Sequence, residues 1–483
     1  MSLRLATAVS VSVLALSAGA VLSQGTPQGA AELTATFQTY FGSTPGVVNV
    51  VPEGAGYAVT LDATPLFAMI PAEAGAKVSM TAHRLLVTDN GDGTWTVVQD
   101  QPIDFALSIP GMIEMRVAAD ELLCEGIFDT ALKVFAENVC SIANLVVDQT
   151  VTDPMGQTSE TNSRSATIDF ESTARANPAG GVDQTLAYSG TAITQDMTMP
   201  LAPGEPPLPV RLALEAYSAD GEITGYRAEV VLDALAWFVA NPNPDAMMSA
   251  RGQMRDILSG GLPIWEMIDF GILGNGMTVE TPIGPVTADE LEITVALAGA
   301  VENGLLRESI GVSGLKLPEG VLPPFLEPLL PVDALIDFAL EGYDAVGAAR
   351  VLLGLFDLAP GSRPGPEFEG QLLTALLPSG SVDIVFGAGL LGNRTYEIEW
   401  EGRISAGPMA MPTGTGRVTM AGFDDTMGLV DSLPQEVKDQ ALPVVGMARG
   451  IAQVQADGSL LWEIDATKPG TFKVNGMDLM GMQ

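Results

Sequence analysis

Tyr396-Glu397-Ile398-Glu399-Trp400-Glu401 alternates an apolar side chain with a glutamate at every step. A backbone that sends successive side chains to opposite sides turns this alternation into one apolar face and one wet face. The stretch therefore reads as a half-buried strand of an antiparallel sheet. Leu291, Ile293, Val295 and Leu297 alternate with smaller or polar partners in the same way. Leu85-Leu86-Val87-Thr88 and Thr94-Trp95-Thr96-Val97-Val98 flank the turn residues Asp89-Asn90-Gly91-Asp92-Gly93, a hairpin pattern. The same grammar returns at Ala219-Asp220-Gly221, and at Ala456-Asp457-Gly458 before Leu460-Leu461-Trp462-Glu463-Ile464. Without a fixed period the unit spells a meander and not a solenoid.

Helices enter as insertions. Leu33, Phe37, Tyr40 and Phe41 recur at helical spacing, Asn243-Pro244-Asp245 is a cap followed by a first-turn proline, and Leu335, Phe338, Ala339 and Tyr343 form another helical stripe. A further helix is expected after Ser432, where Pro434 and Glu436 suit a first turn and Pro443 should interrupt or end it. The expected fold class is α+β, mainly antiparallel β-meander sheets with a few packed helices, in two domains or halves. The proline-rich run Pro200–Pro209 is the candidate linker, dividing a β-rich domain over 24–199 from an α+β domain over 210–483. A second proline- and glycine-rich break, Ala359–Pro366, suits a long loop.

Residues 1–23 read as a secretory signal. Arg4 is the only charge before Glu32, an apolar run from Leu5 to Leu22 follows it, and Ala18-Gly19-Ala20 is a small-x-small cleavage site. A cut after Ser23 fits nearly as well, and an uncleaved inner-membrane anchor is the alternative, because the run is close to the minimum for a span. The expected compartment is outside the cytoplasm.

Charge narrows the partners: 59 acidic residues against 22 basic ones give a net charge of −37, which repels nucleic acid and anionic headgroups. Cys124 and Cys140, the only cysteines, read as one disulfide in an oxidising compartment. With His83 the single histidine, a zinc site or an imidazole-dependent triad lacks its parts. Gly311-Val312-Ser313-Gly314 lacks the second glycine of a nucleophile elbow. Gly387-Ala388-Gly389-Leu390-Leu391-Gly392 matches a dinucleotide fingerprint on paper, but the alternating strand that follows leaves no helix to face a pyrophosphate, so a glycine-rich hairpin turn is expected there. Asp89 and Asp92 suit a hairpin better than a calcium loop, and Met409, Met411, Met477, Met480 and Met482 suit packing better than copper. No catalytic, cofactor or metal residues are assigned.

The closing run Leu461-Trp462-Glu463-Ile464-Asp465, continued by Pro469-Gly470-Thr471-Phe472-Lys473-Val474-Asn475-Gly476, together with the export signal and β-rich body, resembles an uncharacterised proteobacterial envelope family, domain-of-unknown-function family 2125. That family is loosely AsmA-like, and AsmA-like proteins bind or conduct lipids on long β-sheets. The resemblance implies a periplasmic, non-enzymatic role and carries over no catalytic residue. The expected function is binding of an apolar ligand such as a lipid, with a protein-interaction scaffold of the envelope as the alternative. Any anionic headgroup is expected outside the groove or beside arginines such as Arg394 and Arg403.

Overall fold

The computed structural model describes residues 25–67, 77–153, 156–199, 208–359, 362–408, 410–431 and 433–479. The expected signal, 1–23, lies outside these residues, as do Met409, Met480, Met482 and most of the expected linker. Of the described residues 53% are strand and 23% helix, mostly antiparallel sheet as the alternation predicts. The described residues group into two compact units.

The first unit takes the described residues of Met1–Arg211, Ser218–Met267 and Leu353–Arg363. Helix α1 (Pro27–Phe41) starts where the Thr26 side chain accepts a hydrogen bond from Gly29 N at 3.0 Å. After it come β1 (Val48–Glu53), β2 (Gly56–Leu61), α2 (Thr64–Phe67), β3 (Lys77–Met80), β4 (His83–Asp89), β5 (Thr94–Ile109), β6 (Ile113–Asp129), β7 (Val134–Thr152), β8 (Thr158–Ala176) and β9 (Val182–Met199). They pair as β1-β2-β4-β5-β6-β7-β8-β9, with β3 joining the far half of β5. The core forms because Leu33 and Phe37, one turn apart on α1, meet Tyr57, Val59, Val87, Trp95 and Phe128 from the sheet. Phe37 is only 1% exposed, and burying a side chain of that size is worth about 2–3 kcal/mol. The strand β10 (Leu208–Tyr226) leads to α3 (Ala228–Ala240) and α4 (Pro244–Gly261), which starts on the Asn243 cap that accepts from Ala246 N at 3.0 Å. Trp237 Nε1 ties the two helices by donating to Ala250 O at 3.1 Å. Cys124 on β6 stands directly opposite Cys140 on β7, Cα to Cα 4.1 Å, with the sulfurs at disulfide distance.

The second unit comprises Leu212–Tyr217, Ile268–Leu352 and the described part of Pro364–Gln483. Its strands are β11 (Met267–Thr281), β12 (Gly284–Ala298), β13 (Gly304–Ser313), β14 (Asp333–Tyr343), β15 (Val382–Gly392), β16 (Glu397–Gly407), β17 (Ala410–Ala421), β18 (Gln453–Val454), β19 (Leu460–Ala466), β20 (Lys473–Val474) and β21 (Met477–Asp478). Helices α5 (Ala345–Leu353) and α6 (Phe368–Leu376) lie between β14 and β15, and α7 (Phe423–Asp431) and α8 (Gln435–Ile451) follow β17. Each strand from β12 to β17 pairs with the next, β19 closes on β17, and the β20–β21 hairpin turns at Asn475-Gly476, both at positive φ.

Four expectations change. The Leu335–Tyr343 stripe is strand β14 and not a helix, because it pairs along its length with β13 on one side and β15 on the other. Ala219-Asp220-Gly221 lies inside β10 and not at a turn. Gly387–Gly392 belongs to β15, with a bulge between Phe386 and Gly389, and the turn falls after it. Pro443 leaves α8 unbroken: the helix runs to Ile451, its last turns held where Trp462 Nε1 donates to Ala448 O at 2.8 Å and Asn475 Nδ2 to Ile451 O at 2.7 Å. The hairpins at Asp89–Gly93 and at Ala456–Gly458 form as expected.

Candidate functional site: an apolar sheet face in the second unit

Because side chains alternate and the registers are fixed, the ladders place one set of residues on each side of this sheet. Reading across β12, β13 and β14, Ile293 lies beside Ile310 and Ile310 beside Ile336. Four residues along β13, Leu297 pairs with Leu306 and Leu306 with Leu340, which faces Ile384 and then Ile404. Phe338 opposes Phe386, while Leu391 opposes Ile398 and Ile398 opposes Met420. Trp400, Val418 and Trp462 make a row of their own. All of these point to the same side.

This side is incompletely covered. Ile310 is 45% exposed, Ile336 57%, Phe386 38% and Ile404 37%. The β19 end is closed by α8, whose Ala448 carbonyl receives the Trp462 indole proton. Trp400 lies over Gly389, where any side chain would collide with its indole ring. That close approach accounts for one glycine of the run that mimics a nucleotide fingerprint; a second, Gly387, makes room for the Asp337 carboxylate.

The opposite side carries the charge. Asp337, buried, receives the Arg307 guanidinium, with Nε to Oδ1 at 2.9 Å and a second, shorter contact from Nη2 to Oδ2. Arg403 bridges Asp383 at 2.6 Å and Glu341 at 2.7 Å. The Ser405 hydroxyl, also donating to Asp383, and Arg403 beside it hold that carboxyl below its ordinary range, and the two acids raise Arg403. Glu397, Glu399, Glu401 and Glu463 are exposed there, as the alternation predicts. Arg403 is thus paired, and it lies on the wrong side of the sheet to meet a ligand on the apolar face. Arg394 sits exposed in the turn after β15.

Two carboxylates depart from this division: Asp289 on β12, two residues before Leu291 and paired with Lys316 Nζ at 3.2 Å, and Glu308 on β13. Glu308 falls on the apolar side, between Leu306 and Ile310 along β13 and opposite Val295 and Phe338 across the ladders. It is half-buried and makes no hydrogen bond or ion pair among the described residues.

The residues singled out in sequence lie elsewhere. Cys124 and Cys140 are in the first unit. His83, also there, has its Nδ1 3.0 Å from Gln99 Nε2, and burial lowers its pKa. Among the described residues no group of three or more His, Cys, Asp or Glu is placed to hold a metal ion, and no helix is long and apolar enough to cross a membrane. Sequence reasoning missed Glu308, Ile310, Ile336 and Phe386; the signal was the alternation in β13 and β14, hidden when β14 reads as a helix. Comparison with known proteins finds no matching family model, no matching curated protein and no matching solved structure.

Proposed function

We propose that this is an exported binding protein of the cell envelope that holds an apolar ligand, a lipid, on the open face of the second unit's sheet and performs no chemistry on it. The observation that carries the reading is the set of half-exposed Ile310, Ile336, Phe386 and Ile404, spread over three neighbouring rungs on one face of a paired sheet whose other face is charged. Water pays no compensation for contact with such a face, whereas acyl chains gain about 25 cal/mol for every square ångström they cover. The resemblance of the closing run to the family 2125 envelope proteins, and the secretory character of residues 1–23, support the same reading. The scaffold alternative has its own observation: Val437, Val444 and Met447 are exposed along one side of α8, a surface suited to another protein.

The test is native purification, organic extraction and mass spectrometry, with titration of the neutral dye N-phenyl-1-naphthylamine alongside. Lipid in the extract and micromolar dye binding are expected. The double substitution Ile310→Ser, Ile336→Ser should weaken dye binding severalfold while the melting temperature stays close to that of the parent, because both side chains are already in contact with water. An empty extract with no dye binding replaces this reading with the scaffold.

A further inference from the structure

Glu308 poses a physical problem for any purely apolar occupant. Bare, the face lets water solvate the carboxylate; an alkyl chain lying over Phe338 and Ile310 strips that water away. A carboxylate desolvated without a partner costs several kcal/mol, more than a short stretch of chain gains by covering its neighbours. The neighbouring strands offer no cation to make up the loss, and Lys316, beside β12, is already paired with Asp289 at 3.2 Å. Arg307, its neighbour in sequence, points to the other side and is held by Asp337, and no basic residue occurs on the apolar side in β12 to β17 or β19. The missing positive charge must come with the ligand.

We infer that Glu308 is a headgroup-recognition residue, and that the ligand is an amphiphile bearing a protonated amine or other cationic nitrogen, set so that its nitrogen meets the Glu308 carboxylate while its chain crosses Ile310 and Ile336. This rests on the reading of the face as an apolar binding surface and narrows it to one chemical class. Anionic amphiphiles are excluded twice, by the facing carboxylate and by a net charge of −37. Neutral chains are disfavoured because they leave Glu308 stranded. A hydrogen bond to a charged partner in a partly dry setting is worth enough to favour the amine by about tenfold over a neutral chain of equal length.

The experiment displaces N-phenyl-1-naphthylamine from the full chain with dodecylammonium, dodecanol and dodecanoate, all below their micellar concentrations at near-physiological salt. Dodecylammonium should displace the dye at about a tenth of the dodecanol concentration, with dodecanoate weakest. In Glu308→Gln the amine should fall to the level of the alcohol and dodecanoate should gain. In Glu401→Gln, which removes an exposed acid from the opposite side, the preference should persist. Equal displacement by amine and alcohol, or a preference that survives Glu308→Gln, overturns the role of Glu308 and leaves the apolar surface standing. If the dye does not bind, or none of the three displaces it, the surface itself is refuted and the inference falls with it.

Discussion

A methyl group at Gly389 tests whether the apolar face is built as described. The glycine lies in β15 opposite Trp400, and the backbone there needs no positive φ, so alanine is conformationally acceptable. Its Cβ, however, would fall well inside contact distance of the indole carbons Cε2 and Cζ2 and of Nε1. Carbon atoms rest at about 3.5–4 Å, so the ring must retreat by more than an ångström or the strands must part. Overpacking of this kind costs about 1–3 kcal/mol, against which alanine recovers about 0.4–1 kcal/mol by restricting the unfolded chain. Gly389→Ala should therefore destabilise the second unit by about 1–2 kcal/mol. When Trp400→Ala is made first, the methyl enters open space and the same change becomes neutral or slightly stabilising. Urea unfolding of the parent, both single variants and the double variant gives the coupling energy, expected to exceed about 1 kcal/mol. If Gly389→Ala costs the same in both backgrounds to within about 0.5 kcal/mol, the packing of Trp400 over Gly389, and with it this description of the face, is wrong.

Replacing Cys124 and Cys140 by serine should lower the melting temperature and still leave a folded chain, because the core around Phe37 and Trp95 is independent of them. Closing a hairpin of 16 residues' separation is worth at most about 3 kcal/mol in chain entropy, and free thiols detected in non-reducing denaturant would overturn the pairing. Burial of His83 lowers its folded pKa below the unfolded value of about 6.5, so the unfolded chain takes up its proton first and stability falls as pH drops through that value. The drop in urea midpoint between pH 7.5 and 5 should be smaller in His83→Gln, and equal drops refute the assignment. On the proposed export, intact-mass measurement of the periplasmic fraction should find Val21 or Gln24 as the first residue; retention of Met1 in a membrane fraction counts against cleavage.

Legibility in the sequence followed contrast between the two sides of each strand. In β16 the sides are Ile398 and Trp400 against Glu397, Glu399 and Glu401, so the strand and its orientation could be read directly. In β14 Leu335 and Ala339 share a side with Asp337, and the apolar spacing imitates a helix turn. What decides it is Arg307 on the next strand, which satisfies Asp337 and permits an acid in a covered position. The glycines of β15 announced a turn because their reason, Trp400 and Asp337 crowding from neighbouring strands, lies 11 and 50 residues away in sequence. Glu308 was one acid among 59 until the ladders set it between Val295 and Phe338. Helix caps, which depend on adjacent residues, were readable at Asn243.

Cys124 and Cys140 sit in the turn-proximal half of a hairpin whose strands run for 17 and 19 residues, and such a hairpin has more than one way to zip. A slip of one residue is self-correcting, since it turns every apolar side chain outward. A slip of two is not: it keeps inside in and outside out along both strands, and β8 beyond them, dense in serine and threonine, discriminates little between alternatives. Yet two residues of slip carry the sulfurs about 7 Å apart along the strand, beyond any bond between them. Two thiols set face to face thus act as a gauge of correct threading, accepting the native alignment and rejecting the decoy that hydrophobicity alone would tolerate.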